Sequence, residues 1–373
     1  MRSVHLWLIC LIVAASSTPA LAQTGNYPGL KLETGKQIWE AACAACHGSD
    51  GKGTPESIAG FQKPDTFPDF TRCDQTTSEL DTDYKAVIVH GGPYRGFSTI
   101  MPAFGSALTD DQINKVIQYL RGFCTNSHWP RGELNLPRAL VTEKAYPEDE
   151  VVTTTALNAN GAPGVTTDVV YEKRFGVKNE IEVDMPFTFQ NQNHTWYGGV
   201  GDTSIGWKRV LFSSLPAGSI FSVQGEFRFP LGNRSRGLGS GTTTFETFAA
   251  YDQLLPWNFF FQLQDGAELP MDTQIAPKSV FWYTTIGWNY AEDHGLGRLW
   301  SPMMEFLADR DLRTGAQTGW DVMPEMEVTI NKRQHIRAAA GLRIPIGNTA
   351  GRQKQVLFYL LWDTQEGKLT EGW

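Results

Sequence analysis

Phe221-Ser222-Val223-Gln224-Gly225-Glu226-Phe227-Arg228-Phe229 alternates residue by residue, with apolar side chains or glycine at odd positions and polar or charged ones at even positions. Successive side chains of an extended strand point to opposite faces. The stretch therefore predicts a strand with one apolar and one polar face. Its neighbours repeat the pattern: Ile181, Val183, Met185 and Phe187 alternate with Glu182 and Asp184, and Ile336, Ala338, Ala340, Leu342 and Ile344 alternate with Arg337, Gly341 and Arg343. Eleven such segments follow Val165, at about 165–177, 180–190, 203–214, 219–230, 242–254, 257–268, 279–291, 297–308, 320–331, 335–346 and 354–364.

Short links at 177–180, 215–218, 255–257 and 331–334 alternate with longer Gly- and Asn-rich loops at 191–202, 231–241, 269–278, 309–319 and 347–353. Outer-membrane barrels have short turns on the periplasmic side and long loops outside. If 177–180 is periplasmic, one more strand must rise before Val165. Glu150 to Leu157 is available for it, which makes about twelve antiparallel strands and returns both ends of the domain to the periplasm. Periodicity fits a soluble β-sandwich or a lipocalin-like barrel equally well, since either would turn its apolar face inward. Two features favour the transmembrane β-barrel. Aromatic residues (Trp196, Tyr197, Trp257, Tyr290, Trp300, Trp320, Trp362) crowd the segment ends as interfacial girdles do. The polar face also carries many charges, which a watery or salt-bridged lumen accommodates. The last strand, Val356 to Trp362, is the most apolar and lies near the C-terminus, as an outer-membrane assembly signal would.

Upstream the composition changes. Residues 1–22 begin with Arg2, run through apolar Leu6 to Ala15 and end in Ala20-Leu21-Ala22, the layout of a cleaved secretory signal peptide. Export follows, and Cys10 would leave with the signal. With 32 basic against 40 acidic residues the chain lacks the basic excess that nucleic acid selects, so no nucleic-acid partner is expected.

Cys43-Ala44-Ala45-Cys46-His47 is C-x-x-C-H, in which two thiols add to the vinyl groups of haem while the adjacent imidazole reaches the iron. A thioredoxin-like pair would need a βαβ setting and a zinc site a second ligand pair; neither is visible. No second C-x-x-C-H occurs, so the expectation is one covalent haem c, anchored by Cys43 and Cys46 with His47 as the proximal iron ligand. Met101 is the only methionine between the signal segment and Met185 and is the expected sixth ligand; His90 is the rival. His90 also reads as a helix end, since Leu80, Tyr84, Val87 and Ile88 form an apolar face and Gly91-Gly92 follows. Thr109-Asp110-Asp111-Gln112 reads as a helix start, and Ile113, Val116, Ile117 and Leu120 supply the buried stripe. An earlier helix spans roughly Glu33 to Ala45. Cys73 and Cys124 remain as an even pair in an exported chain, which suggests a disulfide; two separate buried thiols are the alternative.

Residues Leu30 to Cys124 resemble class I cytochromes c, through C-A-A-C-H at 43–47 and M-P-A-F-G at 101–105. Phrases such as Phe175 to Glu182 and Gly199 to Lys208 look like outer-membrane porin-like domains. The whole chain is similar to the cytochrome–porin fusions of extracellular electron transfer, including those of iron-oxidising bacteria, although this barrel is shorter than the larger porins such fusions suggest. The expected organisation is α+β: signal peptide 1–22, all-α haem domain 30–125, linker 126–149 and outer-membrane barrel 150–373. A domain of about 100 residues has a radius of gyration near 13 Å, too wide for a twelve-strand lumen, so the haem domain should sit at the periplasmic mouth.

The resemblance implies single-electron transfer with a periplasmic carrier as partner and outer-membrane lipid around the barrel, and no enzyme activity on a substrate of its own. Two other classes fit the same parts: a transport pore with the haem domain as redox sensor or plug, and a soluble periplasmic enzyme with a fused cytochrome. Against the last, the β-domain has no cysteine, and His194, His294 and His335 lie scattered on separate segments, as surface or loop histidines do.

Overall fold

The alternating segments close into an antiparallel barrel in the computed structural model, which describes residues 32–292 and 299–373. The signal segment 1–22 and His294 lie outside the described residues. Among the described residues the wall has twelve staves: β1 Glu150–Asn158, β2 Gly164–Phe175, β3 Asn179–Gln192, β4 Thr203–Ser214, β5 Ser219–Phe229, β6 Thr244–Leu254, β7 Phe259–Pro270, β8 Ser279–Trp288, β9 Leu299–Asp311, β10 Gly319–Thr329, β11 Ile336–Gly347 and β12 Gln355–Asp363. Each pairs with the next, and Val151 opposite Trp362 closes β1 onto β12.

The wall is inside-out relative to a soluble barrel. On β4, Ile205 and Trp207 are 51% and 52% exposed while Ser204 and Lys208 are 1% exposed. Phe187, Phe227, Trp282, Phe358 and Leu360 continue the outward apolar band, and Glu172, Glu180, Glu305, Asp321 and Glu327 are buried inside. A face that is apolar outside and charged inside suits hydrocarbon around the barrel and excludes a lipocalin-like interior.

One stretch differs from its sequence reading. Residues 191–202 read as a loop, yet Thr195–Val200 pairs with Phe187 to Gln192 and lengthens the wall above β4. The cause is the two-residue turn Asn193-His194, both left-handed with φ of 50° and 66°, a conformation that matches hairpin twist and that asparagine tolerates.

The helical domain is built from Gly35–Ile38, a π-helical turn Trp39–Cys43, Ala44–His47, then Glu56–Ala59, Cys73–Thr76, Asp81–His90 and Asp110–Arg121. Thr109 and Gln112 form a capping box, as do Thr34 and Gln37 at the first helix. Ile38, Trp39, Phe70, Ile88, Ile113, Val116, Ile117 and Leu120 make the core. Cys73 and Cys124 are joined in a disulfide with Cα atoms 5.1 Å apart, tying the short helix Cys73–Thr76 to the exit of the last helix.

Residues 126–149, read as a linker, do more than connect. Leu134, Leu136, Arg138, Thr142, Lys144, Tyr146 and Glu148 are all buried, and the partners of this segment are inward-facing wall residues. Backbone N–H groups donate to wall carboxylates: Arg138 to Glu327 at 3.1 Å, Leu140 to Glu325 at 3.0 Å, Thr142 to Glu305 at 2.7 Å and Ala145 to Asp252 at 2.9 Å. The segment is a plug folded into the lumen. Its turns and prolines gave it the composition of an exposed link, and the wall supplies the hydrogen bonds that water would otherwise provide.

The helical domain rests on the barrel end that carries the short turns and the C-terminus. Arg333, in the β10–β11 turn, donates to the Gly96 carbonyl at 2.7 Å, and Arg95 donates to the Arg333 carbonyl at 3.4 Å. Gln365 of the C-terminal tail and Arg174 at the foot of β2 both donate to the Asp74 carbonyl, at 2.7 and 3.0 Å. A Cβ on Gly96, itself at φ 67°, would lie 2.6 Å from the Gly372 Cα, so this contact requires glycine.

Candidate haem site

The first helix carries both thiols and the imidazole. Its π-helical turn ends at Cys43, Cys46 follows three residues on, and His47 is the last helical residue before Gly48 at φ 75° breaks the helix. Trp39 Nε1 donates to the Gly48 carbonyl at 3.0 Å and fixes this exit against the core. The thiols of Cys43 and Cys46 are half-buried and unbonded. Burial, with Cys46 adding to it, pushes the Cys43 thiol up to about 11. A thiol-exchange pair needs a lowered thiol pKa. Cys43 has the opposite and is suited to a permanent thioether.

His47 stands among aromatic rings: Phe67 is stacked at 5.0 Å, Phe70 lies at 5.3 Å and Trp39 at 5.9 Å. Burial, with the Lys63 charge adding to it, holds the imidazole down at about 4. It is therefore neutral near pH 7, the form that ligates a metal. Its Nδ1 is buried without a hydrogen-bond partner.

Met101 packs half-buried against the same core that holds Trp39 and Phe70. Its loop is tied down by Gly92 N–H to the Met101 carbonyl at 3.0 Å, Phe104 N–H to the Ile88 carbonyl at 2.8 Å and Gly105 N–H to the Val89 carbonyl at 3.1 Å. Gly92 permits the approach, since a Cβ there would lie 2.3 Å from the Ser98 carbonyl oxygen. His90 instead ends its helix exposed, 4.2 Å from the Tyr94 ring. The structure thus brings Cys43, His47 and Met101 around one core and leaves the rival ligand outside it. An unpartnered neutral imidazole, a thioether and a pair of free thiols form the donor set of haem c, and the residues fit that group.

The aromatic cage of Phe67 and Phe70 was not visible in the sequence, because it comes from a Pro-rich loop without helical or strand periodicity. Among the described residues, the β-domain histidines His194 and His335 stay apart from the site. His194 sits at an exposed hairpin tip, and His335 is a loop residue buried between Asn331 and the Lys368 carbonyl at 3.1 Å each.

A family model described as cytochrome c oxidase, cbb3-type, subunit III matches residues 31–120. The chain is 32% identical over 91 residues to cytochrome c-555 of Prosthecochloris aestuarii, covering 24% of this chain and 84% of that one. Among solved structures, an outer membrane channel from Pseudomonas putida F1 overlays 61% of this chain and 99% of its own at 13% identity and a TM-score of 0.42. The KdgM porin in complex with disordered oligogalacturonate overlays 57% of this chain and 98% of its own at 6% identity and a TM-score of 0.39. The KustC0563 c-type cytochrome overlays 24% of this chain and 98% of its own at 22% identity and a TM-score of 0.20.

Proposed function

The chain belongs, through residues 31–120, to the c-type cytochromes, and from that premise we propose that it passes single electrons at a bacterial outer membrane, with its haem domain held at the periplasmic mouth of a plugged barrel. Haem c, when bound, supplies a one-electron iron couple whose potential a thioether ligand raises relative to bis-imidazole ligation. In this reading Cys43 and Cys46 would anchor the group covalently, His47 and Met101 would ligate its iron, and Trp39, Phe67 and Phe70 would exclude water from the imidazole side. Iron ligation by Met101 rather than His90 would favour an electron carrier over an oxygen activator.

The observation that carries the reading is the join between the two halves. A barrel with an outward apolar band and a haem-binding domain are joined at one rim by side-chain hydrogen bonds to backbone carbonyls, Arg333 to Gly96 and Gln365 to Asp74 among them. Such a join holds the redox centre at a fixed place relative to the membrane. The plug argues against a transport pore, because residues 134–149 occupy the lumen a solute would use.

The test begins with an outer-membrane fraction separated without boiling and stained for haem. A haem band in that fraction whose mobility shifts on boiling is expected, and the same fraction should take up one electron per chain from a reduced small soluble cytochrome. Haem found only in the soluble periplasm would overturn the membrane assignment. A membrane-held haem that no soluble carrier reduces would overturn the transfer assignment.

A further inference from the structure

The outward face of the wall carries a carboxyl group, that of Asp265, in an otherwise apolar setting. On β7 the side chains of Phe260, Gln262 and Gln264 point inward and are buried, and the strand's alternation turns Asp265 outward, where it is exposed. Phe261 and Leu263 precede it and Ala267 and Leu269 follow it on the same face. Its depth follows from the register. Directly opposed residues run Asn179, Arg209, Val223, Ala249, Asp265, Trp282, Ala308 and Trp320 across consecutive staves. The row leaves the short-turn end of the wall at Asn179, where β3 begins, and reaches the long-loop end at Trp320, where β10 begins. Asp265 lies midway along it, near the middle of the apolar band.

Among the described residues Asp265 has no hydrogen bond or ion pair, and the polar side chains nearest to it by register are engaged elsewhere. The Thr247 hydroxyl donates to the Gln224 carbonyl at 2.9 Å, the Tyr251 hydroxyl donates to Gln253 Oε1 at 2.5 Å, and Trp282, directly opposite, meets the Trp320 ring edge-on at 5.9 Å. The outward cation of the same row, Arg209, stands on β4 and donates to Asn179 Oδ1 at 2.9 Å. A carboxylate turned to hydrocarbon is costly, and ionisable groups at membrane depth ordinarily meet a protein partner. The wall beside Asp265 is also low. Gly225, Ala249 and Ala267 face outward on β5, β6 and β7, whereas Phe187, Trp207 and Phe358 stand out from other parts of the surface. Small residues let two backbones approach closely inside a membrane, and polar side chains hold such contacts together.

We propose that two copies of the chain meet in the membrane through this face, with their Asp265 carboxyls hydrogen-bonded to each other across a two-fold axis parallel to the membrane normal. Depth decides the occupant. Such an axis brings each residue of the contact to its own counterpart at the same depth. A second copy therefore always offers a matching polar group, which any other partner would have to place independently. Arg209 of a second copy does not match, because the row puts it nearer the periplasmic rim than Asp265. A carboxyl group in hydrocarbon takes up a proton rather than stay charged, and two such groups satisfy each other through reciprocal O–H···O bonds. The same axis leaves both haem domains on one side of the membrane. The inference rests on the barrel lying in a membrane and not on electron transfer.

The experiment uses the full haem-loaded chain. No cysteine follows Cys124 in the sequence, so Ala249→Cys and Ala267→Cys each give the wall a single thiol beside the proposed axis. Oxidation of isolated outer membranes is expected to link both variants into dimers, whereas Ala340→Cys, exposed on β11, should stay monomeric. Native mass spectrometry from mild detergent should show a wild-type dimer and association about tenfold weaker in Asp265→Leu. Asp265→Asn should associate as the wild type does, since its amide can pair with its own counterpart. Asp265→Leu makes the outer face more apolar and should keep the boiling-dependent mobility shift of a folded barrel. A membrane-held wild type that is monomeric overturns the proposal and leaves lipid over Asp265; a complex with a different protein at this face overturns it too. A dimer that survives Asp265→Leu, or that is lost in Asp265→Asn, overturns the carboxyl pair. Haem found only in the soluble periplasm would instead remove the membrane reading on which the proposal rests.

Discussion

Arg138 shows how much one side chain can carry when it is withdrawn from water. Its guanidinium is 8% exposed and contacts Glu143, Glu150 and Glu172, while its own backbone carbonyl accepts from the Tyr359 hydroxyl at 2.9 Å. Removing one member of a buried charge network strands the others, at a cost of about 3–5 kcal/mol. Arg138→Ala should therefore lose about that much in urea unfolding of the barrel followed by tryptophan fluorescence. Arg313→Ala provides the comparison: its pair with Asp311 has side chains 67% and 34% exposed and should contribute less than about 1 kcal/mol. Equal losses for the two would mean that the Arg138 network relaxes around the deletion. The residues of the haem motif were legible in the sequence because their chemistry is local, five consecutive positions that few other uses share. Arg138 was not, because its partners lie up to 221 positions away and are brought to it only by the closed wall.

At the level of elements, the strands were legible and the plug was not, for one physical reason. A strand in this wall meets two different environments on its two faces, and alternation records that difference. Ser219–Phe229 and Ile336–Gly347 consequently appear close to where their patterns placed them. The plug meets polar wall on several sides, so Pro137, Arg138, Thr142, Glu143 and Pro147 carry no period and read like a solvated link. Thr195–Val200 escaped for a related reason: it lies beyond the main wall, where glycine-rich sequence resembles loop. What separates a plug from a link is the fate of its amide hydrogens. Leu140, Val141, Thr142, Glu143 and Ala145 all donate to wall side chains. In hydrogen-exchange mass spectrometry, peptides covering 138–148 should be protected to a degree comparable with the strands, whereas 125–129, which is mostly exposed, should exchange early. Exchange of 138–148 at the rate of an unfolded peptide would show that the plug leaves the lumen in solution.

The whole molecule depends on the seam between the haem domain and the barrel, and that seam is rich in acid. Glu79 and Asp83 of the helical domain meet Glu366 of the C-terminal tail, with Asp363 at the foot of β12 behind it and Arg95 and Arg121 beside them. Burial first, and then the Asp83 charge, raises Glu79 from the usual carboxylate range to about 7. Burial, followed by Glu79 itself, raises Glu366 in the same direction. A carboxylate whose folded pKa is raised binds its proton more tightly in the native state, so the native state is favoured below the ordinary carboxylate range and loses that advantage as pH climbs towards the folded value. Glu371 acts in the opposite sense, since the hydrogen bond from Arg333 holds it below its ordinary range. Its contribution is lost only on acidification below that range, and it does not compete near neutrality. The seam should accordingly weaken between pH 5 and pH 8. The thermal midpoint of the haem domain, followed by haem absorbance, is expected to fall across that interval in the wild type and to fall less in Glu79→Gln, which is neutral at both ends. Identical pH dependence in the two proteins would mean that Glu79 is ionised in the assembled molecule, leaving Arg95 and Arg121 to compensate it fully.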